Sequence, residues 1–304
     1  MEFYPEGHRI ETTQNRLRTA SLFALAEAAK SQDILEAVVC DAAHNLIVEL
    51  GEGLRGIIPR EEGALGIREG TTRDIAIISR VNKPVCFVVT GFETRDGAVM
   101  PVLSRRAAQQ RCSDEWLCRL VPGDVIDARI THLEPFGAFA DIGCGIASLL
   151  PIDAISISRI SHPRDRFSVG QKIRAVVRAR DPEGRIALSH KELLGTWLEN
   201  AAAFSPGETV AGIIRSVEPY GIFIELAPNL AGLAEPKGTV QCGQAASVYI
   251  KSLIPSRMKV KLILIEGFSG PAFPMPFSYF DPGAHIDRWR YSPPDCEKVI
   301  ESVF

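Results

Sequence analysis

The sequence predicts a mainly β protein of three tandem five-stranded barrels joined by short linking helices. Three observations lead there. The cassette Glu134-Pro135-Phe136-Gly137-Ala138-Phe139 returns as Glu218-Pro219-Tyr220-Gly221-Ile222-Phe223, 84 positions further along. A near-copy at that distance marks duplicated small domains rather than one large fold. Each copy follows a Pro-Gly-acid opening, Pro122-Gly123-Asp124 and Pro206-Gly207-Glu208. Short apolar-alternating runs, punctuated by Gly, Asn and Asp, allow about five strands in each stretch of roughly 65–75 residues. A closed Greek-key barrel suits that count better than a sandwich, because closure removes exposed sheet edges.

The elements follow in order. Residues 1–32 form a helical arm: Leu17, Leu22, Leu25, Ala26 and Ala29 recur mostly at three and four spacings between Thr12 and Lys30, with Thr12 or Thr13 as N-cap. Residues 33–106 give a first barrel with strands at Ala37–Cys40, Leu46–Leu50, Gly56–Pro59, Asp74–Ile78 and Pro84–Val89. A polar helical connector begins at Ser104 and leads into a linker, 107–120. Residues 121–194 are the second barrel. Residues 195–205 link it onward, with Lys191 to Phe204 reading as a short helix. Residues 206–266 are the third barrel.

The tail, 267–304, changes composition. Pro271, Pro274, Pro276 and Pro282 argue against regular helix or central strand. Phe273, Phe277, Tyr279 and Phe280 make it too aromatic for a disordered linker. It is expected to pack along the third barrel or its neighbour and to end in a short helix near Cys296 to Val303. Packing competes with partner docking as the role of Trp289 and Tyr291.

Composition narrows the chemistry. With 304 residues, 46% hydrophobic, 23% charged and a net charge of −3, the chain is ordinary for a globular protein. A basic arm coating duplex DNA is not expected, whereas single-strand binding needs only a local positive groove. The seven cysteines are scattered and form no C-x-x-C pair, so neither a zinc site nor a disulfide framework is expected. The N-terminus lacks a secretory pattern, and no apolar run approaches the ~20 residues of a membrane span. The chain reads as cytoplasmic, with no membrane, metal or cofactor. No P-loop, G-x-S-x-G or H-E-x-x-H motif occurs, and His132, His162 and His190 read as scattered surface or loop residues. Gly51-Glu52-Gly53 and Gly143-Cys144-Gly145 read as hairpin turns at equivalent places.

The cassettes carry the candidate chemistry. In a regular strand Phe136 and Phe139 would point to opposite faces. The intervening glycine permits a turn or bulge that brings both rings to one side. There they would be platforms worth roughly 1–3 kcal/mol per stacked base; the plainer reading is that both fill the core. Tyr220 in the second copy favours exposure, since its hydroxyl suits a wet surface. In Lys172–Arg180, alternation puts Ile173, Ala175, Val177 and Ala179 inward and Lys172, Arg174, Arg178 and Arg180 outward, a stripe able to follow a phosphate backbone. Arg257, Lys259 and Lys261 repeat the pattern more briefly.

Val121 to Leu194, with its G-x-V, F-G-A-F and D-x-x-G-R-I-x-L-S order, resembles the ribosomal S1-type RNA-binding repeat, an OB-fold. The third unit is similar but less regular. The first matches in Gly56-Ile57-Ile58-Pro59 and in Val102-Leu103-Ser104-Arg105-Arg106. The units span about two thirds of the chain, which resembles the short multi-repeat relatives of bacterial small-subunit ribosomal protein S1.

That resemblance implies a non-enzymatic, sequence-tolerant binder of single-stranded RNA, in particular mRNA in translation, with the small ribosomal subunit as a further partner. It adds Asp181 and Arg185 to the candidate RNA contacts, which become Phe136, Phe139, Arg174, Arg178, Asp181, Arg185, Tyr220, Phe223 and Lys259. The family's histidine is replaced by Pro151 and Glu235. His44 and Ile47 stand where the first barrel's aromatics would be, so weak RNA binding and protein contact are expected there. The rival function is a protein-interaction scaffold or accessory subunit of an RNA-processing complex.

Overall fold

Two hydroxyls set the start of the chain. Thr12 Oγ1 accepts the Asn15 N–H and Ser21 Oγ accepts the Ala24 N–H, each at 3.2 Å. Each cap begins its own helix, so the single helix expected between Thr12 and Lys30 is two: α1, Thr13–Thr19, and α2, Leu22–Ser31. Leu25 and Ala28 enter the first barrel's core, while Leu17 stays exposed. The computed structural model describes residues 3–51, 53–95, 97–272, 276–280 and 283–304. Phe273, Pro274 and Pro282 of the tail, and Glu52 of the first expected hairpin, lie outside the described residues.

Three closed barrels follow. The first uses β1 (Leu35–Asp41), β2 (Leu46–Glu49), β3 (Arg55–Ile58), then a one-turn helix α3 (Ile75–Ile78), β4 (Pro84–Arg95) and β5 (Ala98–Ser104). Helix α4, Arg105–Glu115, leads to the second: β6 (Val125–Glu134), β7 (Gly137–Asp141), β8 (Ala147–Pro151), β9 (Lys172–Arg180) and β10 (Ile186–Ser189). Helix α5, Trp197–Ala201, precedes the third: β11 (Thr209–Glu218), β12 (Gly221–Ala227), β13 (Leu230–Ala234), β14 (Gln244–Ile254) and β15 (Lys259–Pro271).

One topology is used three times. The strands are ordered β1-β2-β3-β5-β4, β9-β6-β7-β8-β10 and β14-β11-β12-β13-β15, and each barrel closes. The third and fifth strands run parallel in every copy, through Ile57↔Val102, Leu149↔Ala187 and Leu233↔Lys261. No helix among the described residues is long and apolar enough to cross a membrane.

Several expectations fail locally. Ile75–Ile78 is helical rather than a strand; four apolar residues cannot show a period, and only Ile77 is buried. The first barrel's fifth strand comes instead from Ala98–Ser104, paired antiparallel with β4. Ala179 faces solvent where the alternation placed it inside, beyond the register break in the β9–β10 ladder. β15 continues to Pro271, past the expected end of the barrel. The chain ends not in a helix but in an antiparallel pair, β16 (Arg288–Arg290) with β17 (Glu301–Val303). Trp289 and Tyr291 lie in the apolar core rather than on a docking surface.

The chain divides into two compact units, one of Met1–Leu120 with Asp127–Arg129 and Asp141–Ala147, the other of Val121–Ile126, Ile130–Ala140 and Ser148–Phe304. In the first, buried carboxylates fasten the N-terminal segment. Glu6 accepts from Arg105 Nε and Nη2 at 2.6 and 2.9 Å and from the Cys86 N–H at 3.1 Å. Its own N–H donates to Asp141 at 2.7 Å. Glu36 Oε2 accepts three backbone N–H groups, from Gly7, Arg9 and Ile10, at 2.9–3.1 Å.

Burial first, and then the nearby Glu6 charge, push the Glu36 carboxyl up to about 7 against the opposing pull of the Arg9 and Gly7 N–H donors. In the unfolded chain it titrates near ~4.3. A raised folded value means that its stabilising effect is complete below the unfolded pKa and is lost as pH rises through 7. Glu36→Gln keeps an oxygen for the three donors and does not titrate. In urea unfolding at pH 5 and pH 8, wild type should therefore lose more stability than this variant as pH rises, by about 1–3 kcal/mol. Identical pH dependence in the two proteins would refute the assignment to Glu36.

Candidate nucleic-acid interface

Both cassettes fold identically. Pro135-Phe136 and Pro219-Tyr220 occupy two-residue hairpin turns, and the strand begins at the glycine. Phe139 and Phe223 then sit on β7 and β12, between inward residues: Ala138 and Ala140 are fully buried, as are Ile222 and Ile224. The first ring of each pair is therefore free of the strand's alternation, which is how positions three apart reach one side. Ring centroids lie 6.1 Å apart at 88° for Phe136 and Phe139, and 6.2 Å apart at 87° for Tyr220 and Phe223. Phe136 is 56% exposed and Tyr220 68%; their strand partners are half-buried.

The glycine serves a different purpose from the one expected. Neither Gly137 nor Gly221 has positive φ. A Cβ there would lie 2.5 Å from Leu150 O in one copy and 2.8 Å from Ala234 O in the other. Glycine lets the neighbouring strand's backbone come close.

Register extends each aromatic pair across the sheet, because directly paired residues share a face. Phe223 pairs with Leu233 on β13, and Leu233 with Lys261 on β15. Lys259 lies two residues earlier, on the same face and exposed, as is Lys261. In the second barrel Leu149 pairs with Ala187, and Arg185 lies two residues before it. Lys261 thus adds a cation where the second barrel has alanine. The matching row of the first barrel, Ile47, Ile57 and Val102, carries neither ring nor charge, and Ile57 is buried. His44 is exposed in the preceding loop.

The other expected contacts divide. Arg178 and Lys172 are exposed on β9. Arg185 is exposed and paired with Asp181 at 2.6 Å and Glu183 at 3.2 Å; its hydrogen bond holds the Asp181 carboxyl below the usual range. Arg174 belongs to the tail. Its Nη2 donates to Gly283 O at 2.6 Å, its backbone N–H to Tyr279 Oη at 2.8 Å, and its guanidinium lies 6.0 Å from the Tyr279 ring. His190, expected at the surface, is fully buried against Phe167, Phe277 and Tyr279, and that burial depresses its pKa to about 4.

Sequence reasoning missed the pairing that fixes this face of the third barrel. Glu225 points outward from β12, two residues after Phe223, yet its side chain is 0% exposed. Arg166, from the β8–β9 connection of the second barrel, grips it with Nη1 and Nη2 at 2.7 and 3.0 Å. Arg215 Nε adds a contact at 2.7 Å. Nothing local marks these residues; a lone acid inside an apolar strand was the one available signal. Asn229 supports the same junction, accepting from the Ile157 N–H and donating to Lys191 O and Gly195 O at 2.8–2.9 Å.

Residues 120–191 match the family model of the S1 RNA binding domain. The match covers the second barrel, cassette and Arg185 included. Over longer stretches the chain is similar to small ribosomal subunit protein bS1. That of Staphylococcus aureus (strain COL) is 28% identical over 270 residues, covering 82% of this chain and 66% of that protein. That of Rhizobium meliloti (strain 1021) is 24% identical over 296 residues, covering 87% and 51%. The chain thus resembles S1-type relatives while spanning only part of their length. Among solved structures, a multidomain protein with nucleic acid binding domains from Streptococcus pneumoniae is 14% identical, covers 77% of this chain and 74% of that one, and gives a TM-score of 0.25.

Arg166→Ala leaves Glu225 buried with one guanidinium removed. It should cost about 3–5 kcal/mol in denaturant unfolding, as breaking one side of a buried pair does. A cost under ~1 kcal/mol would mean that water or Arg215 already satisfies the carboxylate.

Proposed function

We propose that this protein binds single-stranded RNA with little sequence preference, through the outer faces of its second and third barrels. The observation that carries this reading is the duplicated aromatic pair, solvent-facing in both copies and set beside cations two strands away. One base stacks at each cassette, against the Phe136–Phe139 corner and against the Tyr220–Phe223 corner, because every base has a π-face. Arg178, Arg185, Lys259 and Lys261 hold phosphates, and Asp181 orients Arg185. Arg174 is left out of that set because the tail engages it. The first barrel, without ring or charge in the equivalent row, contributes little to RNA affinity.

The match to the S1 RNA binding domain and the likeness to bS1 proteins support the reading and suggest its setting: mRNA in the cytoplasm, with the small ribosomal subunit as a partner. Joining two modest sites gives the second an effective concentration of order mM, so affinity for a strand long enough to reach both should far exceed that of either barrel.

Phe136→Ala with Phe139→Ala, and separately Tyr220→Ala with Phe223→Ala, should each weaken single-stranded RNA binding by about 1–3 kcal/mol without changing the unfolding midpoint greatly. Titration of labelled oligonucleotides with the full chain, alongside circular dichroism, measures both. Unchanged affinity in both double variants would remove the physical basis of the proposal. Affinity should also fall with salt, at a slope of about −0.7 for each phosphate contacted; a flat response would exclude the cations.

A further inference from the structure

The ring of Phe223 does not stand on the third barrel alone. Same-face neighbours on a strand are about 6.6 Å apart, and Glu225, the next outward residue after Phe223, is roofed by the β8–β9 connection of the second barrel. That segment is pinned along β12 and β11. Ser158 N donates to Pro228 O at 3.1 Å, Arg166 holds Glu225, and Asp165 meets Arg215 at 3.7 Å. Arg215 falls at the register break between Ile214 and Ser216, and Ser216 is the residue paired with Phe223. The Asp165 end of the segment is therefore the end beside the ring.

The charges there divide by role. Arg166 and Arg215 are buried and paired with Glu225, and Arg215 also meets Asp165. Arg159 and Arg164 are exposed on the same segment, and neither guanidinium joins an ion pair among the described residues. Lys259 and Lys261 lie on the other side of Phe223, beyond β13. A strand stacked on that ring would have cations of the third barrel on one flank and Arg164 on the other, with Arg159 further along at the Pro228 end of the segment.

We propose that residues 156–166 of the second barrel complete the RNA surface of the third, with Arg159 and Arg164 binding phosphates of the strand whose base stacks on Tyr220 and Phe223. This rests on the single-stranded RNA reading above. The surface is then composite, and the third barrel is incomplete without its neighbour.

The test is an anisotropy titration of a labelled oligouridylate, about 24 nucleotides long so that it exceeds one barrel's site, against the full chain at several salt concentrations. Arg159→Ala with Arg164→Ala should weaken binding severalfold and make the salt slope shallower by about 1.4, that is about 0.7 per phosphate. Added to Tyr220→Ala with Phe223→Ala, the arginine changes should cost little more, because the site they serve is already lost. Both arginines are exposed, and a thermal melt checks that the fold persists. If the arginine variant binds as wild type while the ring variant is weakened, the composite surface is wrong and the RNA reading stands. If the two losses simply add, the arginines act elsewhere and the composite surface is again wrong. If the ring variant itself binds as wild type, the RNA reading fails at this barrel.

Discussion

The second and third barrels depend on one buried charge. Glu225 on an outer strand face would ordinarily be solvated, and burying it alone would be prohibitive. Arg166 and Arg215 compensate it with four contacts of 2.7–3.3 Å. Such a pair adds little net stability over an apolar replacement, but it tolerates very few geometries. Among the described residues Arg166 Nε has no hydrogen-bond partner, a cost accepted alongside the bidentate grip. The apolar core behind the pair runs from Val176 and Leu193 of the second barrel into Ile214, Val248 and Leu262 of the third. Apolar burial supplies the driving force, and the ion pair selects one arrangement from the many that burial would accept.

The first barrel shows the same division with different chemistry. Its core, around Leu46, Val48, Phe87 and Leu103, is completed by Leu25 and Ala28 of α2. Its N-terminal segment is instead held by polar groups: Glu36 gathers three N–H donors, and the Asn15 amide bridges the Glu36 N–H and C=O, both at 2.8 Å. Its outer row, Ile47, Ile57 and Val102, shows that the barrel topology does not require the rings and charges of the other two. Ile47 and Val102 preserve the strands as well as Phe139 or Lys261 would.

Legibility followed the range of the interaction. Strands whose alternation is local, such as Lys259 to Leu262, and turns fixed by Pro-Gly could be read directly, and so could the cassette, because it occurs twice. Ile75–Ile78 could not, since four apolar residues fit a helix or a strand equally and the surrounding barrel decides. His190 was misjudged because its burial comes from Phe277 and Tyr279, nearly ninety residues later in the chain. Arg166 and Glu225 were invisible for the same reason: a residue's partner across a domain junction leaves no trace in its own neighbourhood. Arg174 belonged to a correctly read strand, and only the tail's path showed that it was occupied.

The perpendicular rings carry a consequence of their own. Two faces at 88° and 87° cannot both lie flat against adjacent stacked bases. Each cassette is a corner; under the proposed reading one base rests on one ring and meets the edge of the other. One base is then gripped per barrel rather than two, with the nucleotides between the two corners free to loop or vary. On the proposed reading, indifference to sequence would arise as much from the letters that are skipped as from those that are held.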